Sequence, residues 1–187
     1  MAIRTNVADE ELTASKLVER LADPHRYFPA YQRLLEMGSA AAEAAEDGLG
    51  HPVPRVRQLC CQVLDHLAGA GSFVALLAAI DDPVADVRIQ AIHALACDRC
   101  KADSCRPDAT SVVPAAIRRL TSDPSPKVRA YAIELVGVWG HAREDCAAAL
   151  ATAAKSDPSP AVRKKASWYA PGGVIFRRTA PTRRERL

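Results

Sequence analysis

The chain has 187 residues, 25% of them charged and 49% hydrophobic, with a formal net charge of +3 at pH 7. This length can bury a sizeable core, and the sequence contains no run of about 18 apolar residues, which argues against a transmembrane helix. No apolar stretch follows Arg4 in the N-terminal segment, so we predict no signal peptide and a cytoplasmic location.

The N-terminal part predicts three helices. An acidic helix is expected near Asp9–Leu21, and a second at Phe28–Met37, after the Asp23-Pro24 pair. An alanine-rich helix is expected at Ser39–Asp47. All three fit the pattern of the later repeats only loosely, which is typical of a terminal unit that faces water on one side.

One short pattern then returns four times. Each copy has a proline near its start and ends in a Val-Arg pair: HPVPRVR at His51–Arg57, DPVADVR at Asp82–Arg88, DPSPKVR at Asp123–Arg129 and DPSPAVR at Asp157–Arg163. Ser125 and Ser159 are predicted N-caps, because a proline follows each at the first helical position. Apolar residues recur at helical spacing after each Val-Arg pair, so each copy begins a helix with one buried face.

We call the helix that begins at each copy the first helix of its repeat. A second helix is predicted after the first helices of the copies at His51–Arg57, Asp82–Arg88 and Asp123–Arg129. We place these helices at about Ser72–Asp81, Ser111–Ser122 and Ala142–Ser156. Units of this size bury their apolar faces against their neighbours. The sequence therefore predicts an all-α solenoid of about four to five helix pairs over residues 1–170, followed by an irregular basic tail over residues 171–187.

The repeats resemble HEAT repeats, and more narrowly the bacterial HEAT-like repeats named after phycobilisome lyases. The resemblance rests on the Asp-Pro turn, the Val-Arg pair and the small-residue helix in DPVADVRIQAIHALA, Asp82–Ala96, and it extends over roughly Asp23–Ala170. It implies the solenoid fold. It does not imply one activity, because the family includes scaffolds, chromophore lyases, hydroxylases and DNA-repair enzymes.

The arginines of the four Val-Arg pairs occupy one fixed offset. We expect each to pair with a loop carboxylate along the stack, such as Asp82, Asp123 or Asp157, rather than to form a ladder of phosphate contacts. The arginines concerned are Arg57, Arg88, Arg129 and Arg163.

The repeat interval lengthens where the chain carries a cysteine-rich insertion, residues 97–109. Cys97, Cys100 and Cys105 follow His93 in the pattern H-x3-C-x2-C-x4-C, and three thiolates with one imidazole suit a tetrahedral structural Zn²⁺ site. A metal here would tie the insertion down and add folding free energy. Alternative fourth ligands, at stacked offsets or one turn beyond them, are His141, Cys146 and His66.

Two other interpretations of the insertion stay open. The thiolates would also suit an iron–sulfur cluster, although no recognised cluster spacing is present, or a redox switch. The remaining cysteines, Cys60, Cys61 and Cys146, are predicted to be small core residues.

The C-terminal end is basic. Residues 163–187 contain eight basic residues and one acidic residue, which gives this segment a net charge of +7 and leaves a net charge of −4 on residues 1–162. Such a tail can contact an anionic partner, including nucleic acid, while its aromatic residues are expected to cap the end of the solenoid. The candidate contacts are Arg177, Arg178, Arg183, Arg184 and Arg186.

No enzyme motif is present in the sequence. We therefore predict a non-enzymatic scaffold or adaptor that binds a protein partner and carries a structural zinc. The alternatives are a nucleic-acid-associated protein that uses the basic tail, and a lyase or oxidoreductase of the bilin-lyase-like or iron–sulfur kind.

Overall fold

The computed structural model describes residues 12–67, 71–97 and 107–181, and in these ranges the chain is all-α. Two 3-10 turns, Gly38–Ala41 and Gly48–Gly50, flank the third helix. The helices are α1 (Ala14–Arg20), α2 (Tyr27–Met37), α3 (Ala42–Asp47), α4 (Pro54–Leu67), α5 (Ser72–Ala79), α6 (Ala85–Ala96), α7 (Ala109–Ser122), α8 (Pro126–Gly137), α9 (Glu144–Ser156), α10 (Pro160–Tyr169) and α11 (Val174–Arg178).

The helices form two stacked layers. The first helices α2, α4, α6, α8 and α10 lie side by side in one row, and the second helices pack behind them. Within the described ranges the helices pack in pairs across the two layers, α1 with α2, α3 with α4, α5 with α6, α7 with α8 and α9 with α10, and α11 packs on α10. This arrangement confirms the predicted all-α solenoid of stacked helix pairs.

Local caps explain where several helices begin. Pro54, Pro126 and Pro160 each occupy the first position of a helix, where the missing N–H breaks no helical hydrogen bond. Ser125 caps α8 as predicted, because its hydroxyl accepts the main-chain N–H of Val128 at 3.5 Å. Ser159 stands at the equivalent position, but its side chain makes no capping bond.

The core is a single apolar cluster that runs from Leu17 to Ala170. Cys60, Cys61 and Cys146 are completely buried in it, which confirms their prediction as core residues. Burial disfavours a thiolate and raises the pKa of Cys60 and Cys61 to about 12 and that of Cys146 to about 11.

A ladder of arginine and aspartate side chains joins consecutive repeats. Arg57 donates two hydrogen bonds to the Asp82 carboxylate, from Nε at 2.7 Å and from Nη2 at 3.0 Å. Arg88 holds Asp123 in the same way at 2.8 and 2.9 Å, and Arg129 holds Asp157 at 2.8 and 3.0 Å. Each of these arginine–aspartate pairs is one rung of the ladder and joins a first helix to the turn before the next first helix. The pairs confirm the predicted structural role of the arginines.

Each rung is anchored at both ends. The arginine Nη1 donates to two carbonyl oxygens of its own turn, as Arg88 does to Asp82 and Pro83 at 2.8 and 3.1 Å. The aspartate accepts the N–H of the residue two positions later, as Asp123 does from Ser125 at 2.9 Å. Burial alone would raise the pKa of the Asp123 carboxyl, but the bonds from Arg88 and Ser125 outweigh it and hold that pKa below its usual range.

The two ends of the chain differ in part from the sequence expectation. The alanine-rich helix starts as a 3-10 turn and becomes α-helical only at Ala42. The tail is not irregular throughout, because Val174–Arg178 forms a short helix that packs back on α10. The physical reason is Phe176, whose ring lies 3.9 Å from the His141 ring and anchors this segment.

None of the helices in the described ranges is both long and apolar enough to cross a bilayer.

Candidate functional site

A cavity of about 370 Å³ opens where the C-terminal ends of α6 and α8 meet α10 and α11. Three successive repeats and the short tail helix contribute to its wall, so the site exists only in the stacked fold. Its lining mixes ionisable, aromatic and small residues: His93, Cys97, Glu134, His141, Tyr169 and Arg178, with Ala96, Gly137, Val138, Ile175, Phe176 and Thr179.

His141 joins the tail helix to the cavity. Its Nε2 lies 2.9 Å from the carbonyl oxygen of Phe176 and 3.3 Å from Oγ1 of Thr179. Because a carbonyl accepts, the Nε2 nitrogen must carry the proton in this contact. His141 therefore holds α11 over the cavity.

Polar contacts continue across the first-helix row beside the cavity. The His93 ring meets the Tyr131 ring edge-on at 6.4 Å, and Lys165 Nζ lies 5.3 Å from the centre of the same Tyr131 ring. Lys165 also donates to Glu134 at 2.5 Å. The row from α6 to α10 is thus a charged and aromatic edge rather than an apolar one.

Asp65, His93 and Cys97 form a cluster of three possible metal ligands at one side of the cavity. Their nearest ligand atoms all lie within 4.8 Å of one another, and Asp65 Oδ2 is 3.6 Å from His93 Nε2. A tetrahedral zinc keeps its ligand atoms about 3.3–3.8 Å apart. The ligand atoms that lie farthest apart would need to approach one another by about 1–1.5 Å at most to hold the ion.

Asp65 itself supports this interpretation. The residue is only 7% exposed, and within the described part of the chain its Oδ1 has no hydrogen-bond partner. An orphaned buried carboxylate oxygen is costly, and a bound cation would remove that cost. The donor set of one carboxylate, one imidazole and one thiol suits zinc.

The structure brings together only part of the ligand set expected from the sequence. His93 and Cys97 are neighbours at the end of α6, as the pattern requires. Cys100 and Cys105 lie outside the described residues, as does most of the 97–109 insertion.

The alternative fourth ligands occupy three different environments. His141 lines the same cavity as His93 and Cys97 but is held by α11. Cys146 is buried in the core and is not part of the cavity wall. His66 is exposed on α4, next to Asp65 in the chain.

Sequence reasoning missed Asp65. Helical spacing places it four residues after the buried Cys61, on the apolar face of α4, and a carboxylate on such a face is the signal that could have indicated it. At the tail, Arg177 and Arg178 are exposed on α11, and Arg178 lines the cavity. Arg183, Arg184 and Arg186 lie outside the described residues.

Two comparisons with known proteins agree with this architecture. A family model described as HEAT repeats matches residues 113–170. A chain in the structure of the complex of CpcE and CpcF of phycocyanin lyase from Nostoc sp. PCC7120 is similar with a TM-score of 0.67 and 17% sequence identity, over 84% of this chain and 97% of that chain. Comparison with curated protein sequences finds no match. Residues 113–170 therefore match HEAT repeats, and the fold of the chain is similar to that of a chain in this phycocyanin lyase complex.

Proposed function

We propose that this protein is a non-enzymatic scaffold that binds a protein partner at the edge formed by α6, α8, α10 and α11. The observation that carries the proposal is the cavity of about 370 Å³, which three repeats and the tail helix build together. Its charged and aromatic rim offers a partner side chain hydrogen bonds, ion pairing and stacking in one place. The similar chain comes from a complex of two proteins, CpcE and CpcF, which supports a protein as the partner.

The proposal is tested with a rim variant and a charge-matched control. Arg178→Glu reverses an exposed charge on the cavity wall, and Lys155→Glu makes the same change on the exposed face of α9, away from the cavity. We expect the wild type and Lys155→Glu to retain the same partner in affinity purification from the source cells, and Arg178→Glu to lose it. Equal retention by both variants would show that the partner binds elsewhere.

The proposal includes a structural zinc that ties the cysteine-rich insertion to the cavity rim. His93 and Cys97 bind the ion, and two of Asp65, Cys100 and Cys105 complete a tetrahedral set. The support comes from the proximity of His93, Cys97 and Asp65 and from the orphaned Asp65 oxygen. With four protein ligands the ion has a folding role.

Binding of nucleic acid by the basic tail is the second candidate function. The observation in its favour is that Arg177 and Arg178 are both exposed on α11. Three further arginines follow them in the sequence. Deleting the tail would also remove Thr179, which contacts His141. Replacing Arg178, Arg183, Arg184 and Arg186 by glutamine keeps Thr179 and the hydrogen bond from Arg177 to the Gly172 carbonyl, and it should greatly weaken salt-dependent binding of a single-stranded oligonucleotide.

A further inference from the structure

The arginine–aspartate ladder is unfinished at its C-terminal end. Arg163 of α10 occupies the ladder offset, and its Nη1 donates to the carbonyl oxygens of Asp157 and Pro158 at 2.6 and 3.2 Å. The side chain is therefore already bound to its own turn as the other ladder arginines are. Among the described residues, however, no carboxylate meets its Nε and Nη2, which in the three earlier rungs grip the aspartate of the next repeat.

The N-terminal end carries the opposite half of a rung. Asp23 opens the Asp-Pro turn before α2, and its Oδ1 accepts the N–H of His25 at 2.8 Å, just as Asp82 accepts that of Val84 at 2.8 Å. No ladder arginine reaches Asp23 in the described chain. Its only ion-pair contact there is Arg26 Nε at 3.6 Å, and its side chain is 41% exposed, against 8% for Asp82.

We propose that two copies of this chain associate head to tail, with Arg163 of one copy gripping Asp23 of the next. Both halves of the missing rung are on the same chain, at opposite ends of the same row of first helices. Each end also exposes a large aromatic side chain, Phe28 on α2 at 54% and Trp168 on α10 at 41%. A contact of this kind would place α2 of the second copy beside α10, where a further first helix of the solenoid would lie.

The contact joins two different surfaces, so it leaves one free Arg163 and one free Asp23 after every addition. Association is thus expected to be open-ended, and to weaken with salt because the rung is an ion pair at the molecular surface. This inference goes beyond the proposed binding of a partner at the cavity, and the variants that test it do not alter the cavity wall.

Sedimentation velocity of the purified chain from micromolar to millimolar concentration tests the proposal. We expect the wild type to form a series of species larger than the monomer, and Arg163→Ala and Asp23→Asn each to stay monomeric. Asp23→Asn keeps an oxygen for the His25 N–H, so its fold is not at risk. Lys155→Ala, which removes an exposed cation of α9 outside the proposed contact, should assemble like the wild type.

A mixture of the Arg163→Ala and Asp23→Asn variants tests most directly whether the two residues pair between copies. Arg163→Ala retains Asp23, and Asp23→Asn retains Arg163, so an equimolar mixture should form dimers that do not grow further. A wild type that stays monomeric at every concentration would overturn the proposal, as would assembly of Asp23→Asn equal to that of the wild type.

Discussion

Arg88 on α6 and Asp123, in the turn before α8, form a nearly dry two-bond ion pair, with side chains 7% and 0% exposed. The pair is repeated by Arg57 with Asp82 and by Arg129 with Asp157. Because Asp123 also orders its own turn through the Ser125 N–H, the same carboxylate fixes both the start of α8 and its distance from α6. This dual role explains why the Asp-Pro and Val-Arg elements recur together in the sequence.

Removing one partner of an internal rung should destabilise the whole solenoid. We expect Arg88→Met to lower the free energy of unfolding by about 3–5 kcal/mol, because it leaves the buried Asp123 carboxylate with one ion-pair partner, Arg119. Arg163→Met is the matched control at the same repeat offset. It removes only the two carbonyl contacts and should cost about 1 kcal/mol.

Urea unfolding of both variants checks this difference. Equal losses in Arg88→Met and Arg163→Met would contradict the structural role of the rungs.

The ladder should also make stability depend on acid pH. The pKa of Asp82, of Asp123 and of Asp157 lies below its ordinary value because the bonds from arginine and the main chain outweigh the effect of burial. A depressed folded-state pKa gives stability that is present above the unfolded value of about 3.9 and is lost as the pH falls through the folded value. We expect a flat unfolding free energy near neutral pH and a steep fall below about pH 4.

Asp123→Asn removes one of these titrations. Its unfolding free energy should be lower at neutral pH and should fall less steeply in acid. An acid slope identical to that of the wild type would show that Asp123 does not contribute.

The cysteines should differ sharply in their reactivity toward Ellman's reagent in the native protein. Burial raises the pKa of Cys60 and Cys61 to about 12 and that of Cys146 to about 11, so these thiols remain protonated and covered at neutral pH. Cys97 is only partly buried. In a Cys100→Ser/Cys105→Ser variant treated with a chelator, Ellman's reagent should label one thiol in the native protein and four after denaturation.

A Cys97→Ser change added to that variant should leave no thiol reactive in the native state. Rapid native labelling of Cys146 would show that the α9 core opens readily.

His141 should control the tail helix more than the global fold. His141→Ala removes the contacts with Phe176 and Thr179 and should lower the free energy of unfolding by only about 1 kcal/mol. The amides of α11 should exchange with solvent much faster, since few other contacts hold this five-residue helix. Hydrogen exchange measured by mass spectrometry checks this, with unchanged exchange in α8 as the internal control.

Recurrence decided which features could be predicted from the sequence. Arg57, Arg88 and Arg129 share one offset, and an Asp-Pro turn opens the next repeat after each of them, so the rungs could be inferred without coordinates. Asp65 has no such signal, because the equivalent positions in the next two repeats are Ala96 and Gly137. Its approach to His93 depends on how closely α4 and α6 pack, which a single sequence does not encode.

The structure of the tail could also be predicted only in part from the sequence. The sequence predicts the break at Pro171–Gly173, and the structure confirms that α10 ends there. The short helix α11 depends instead on Phe176 meeting the His141 ring, a contact between residues 35 positions apart. A segment this short has little helical stability of its own, so local sequence rules favour an irregular tail.

Metal content measured by plasma mass spectrometry on the purified, tag-free protein tests the central claim, that a zinc ties the insertion to the cavity rim. We predict one zinc per chain in the wild type and in Cys146→Ala, and loss of the metal with a lower melting temperature in Cys97→Ser and His93→Ala. Asp65→Asn, Cys100→Ser and Cys105→Ser then identify the two ligands that complete the set. A wild-type protein without metal, or a Cys97→Ser variant that keeps a full zinc, would contradict the account.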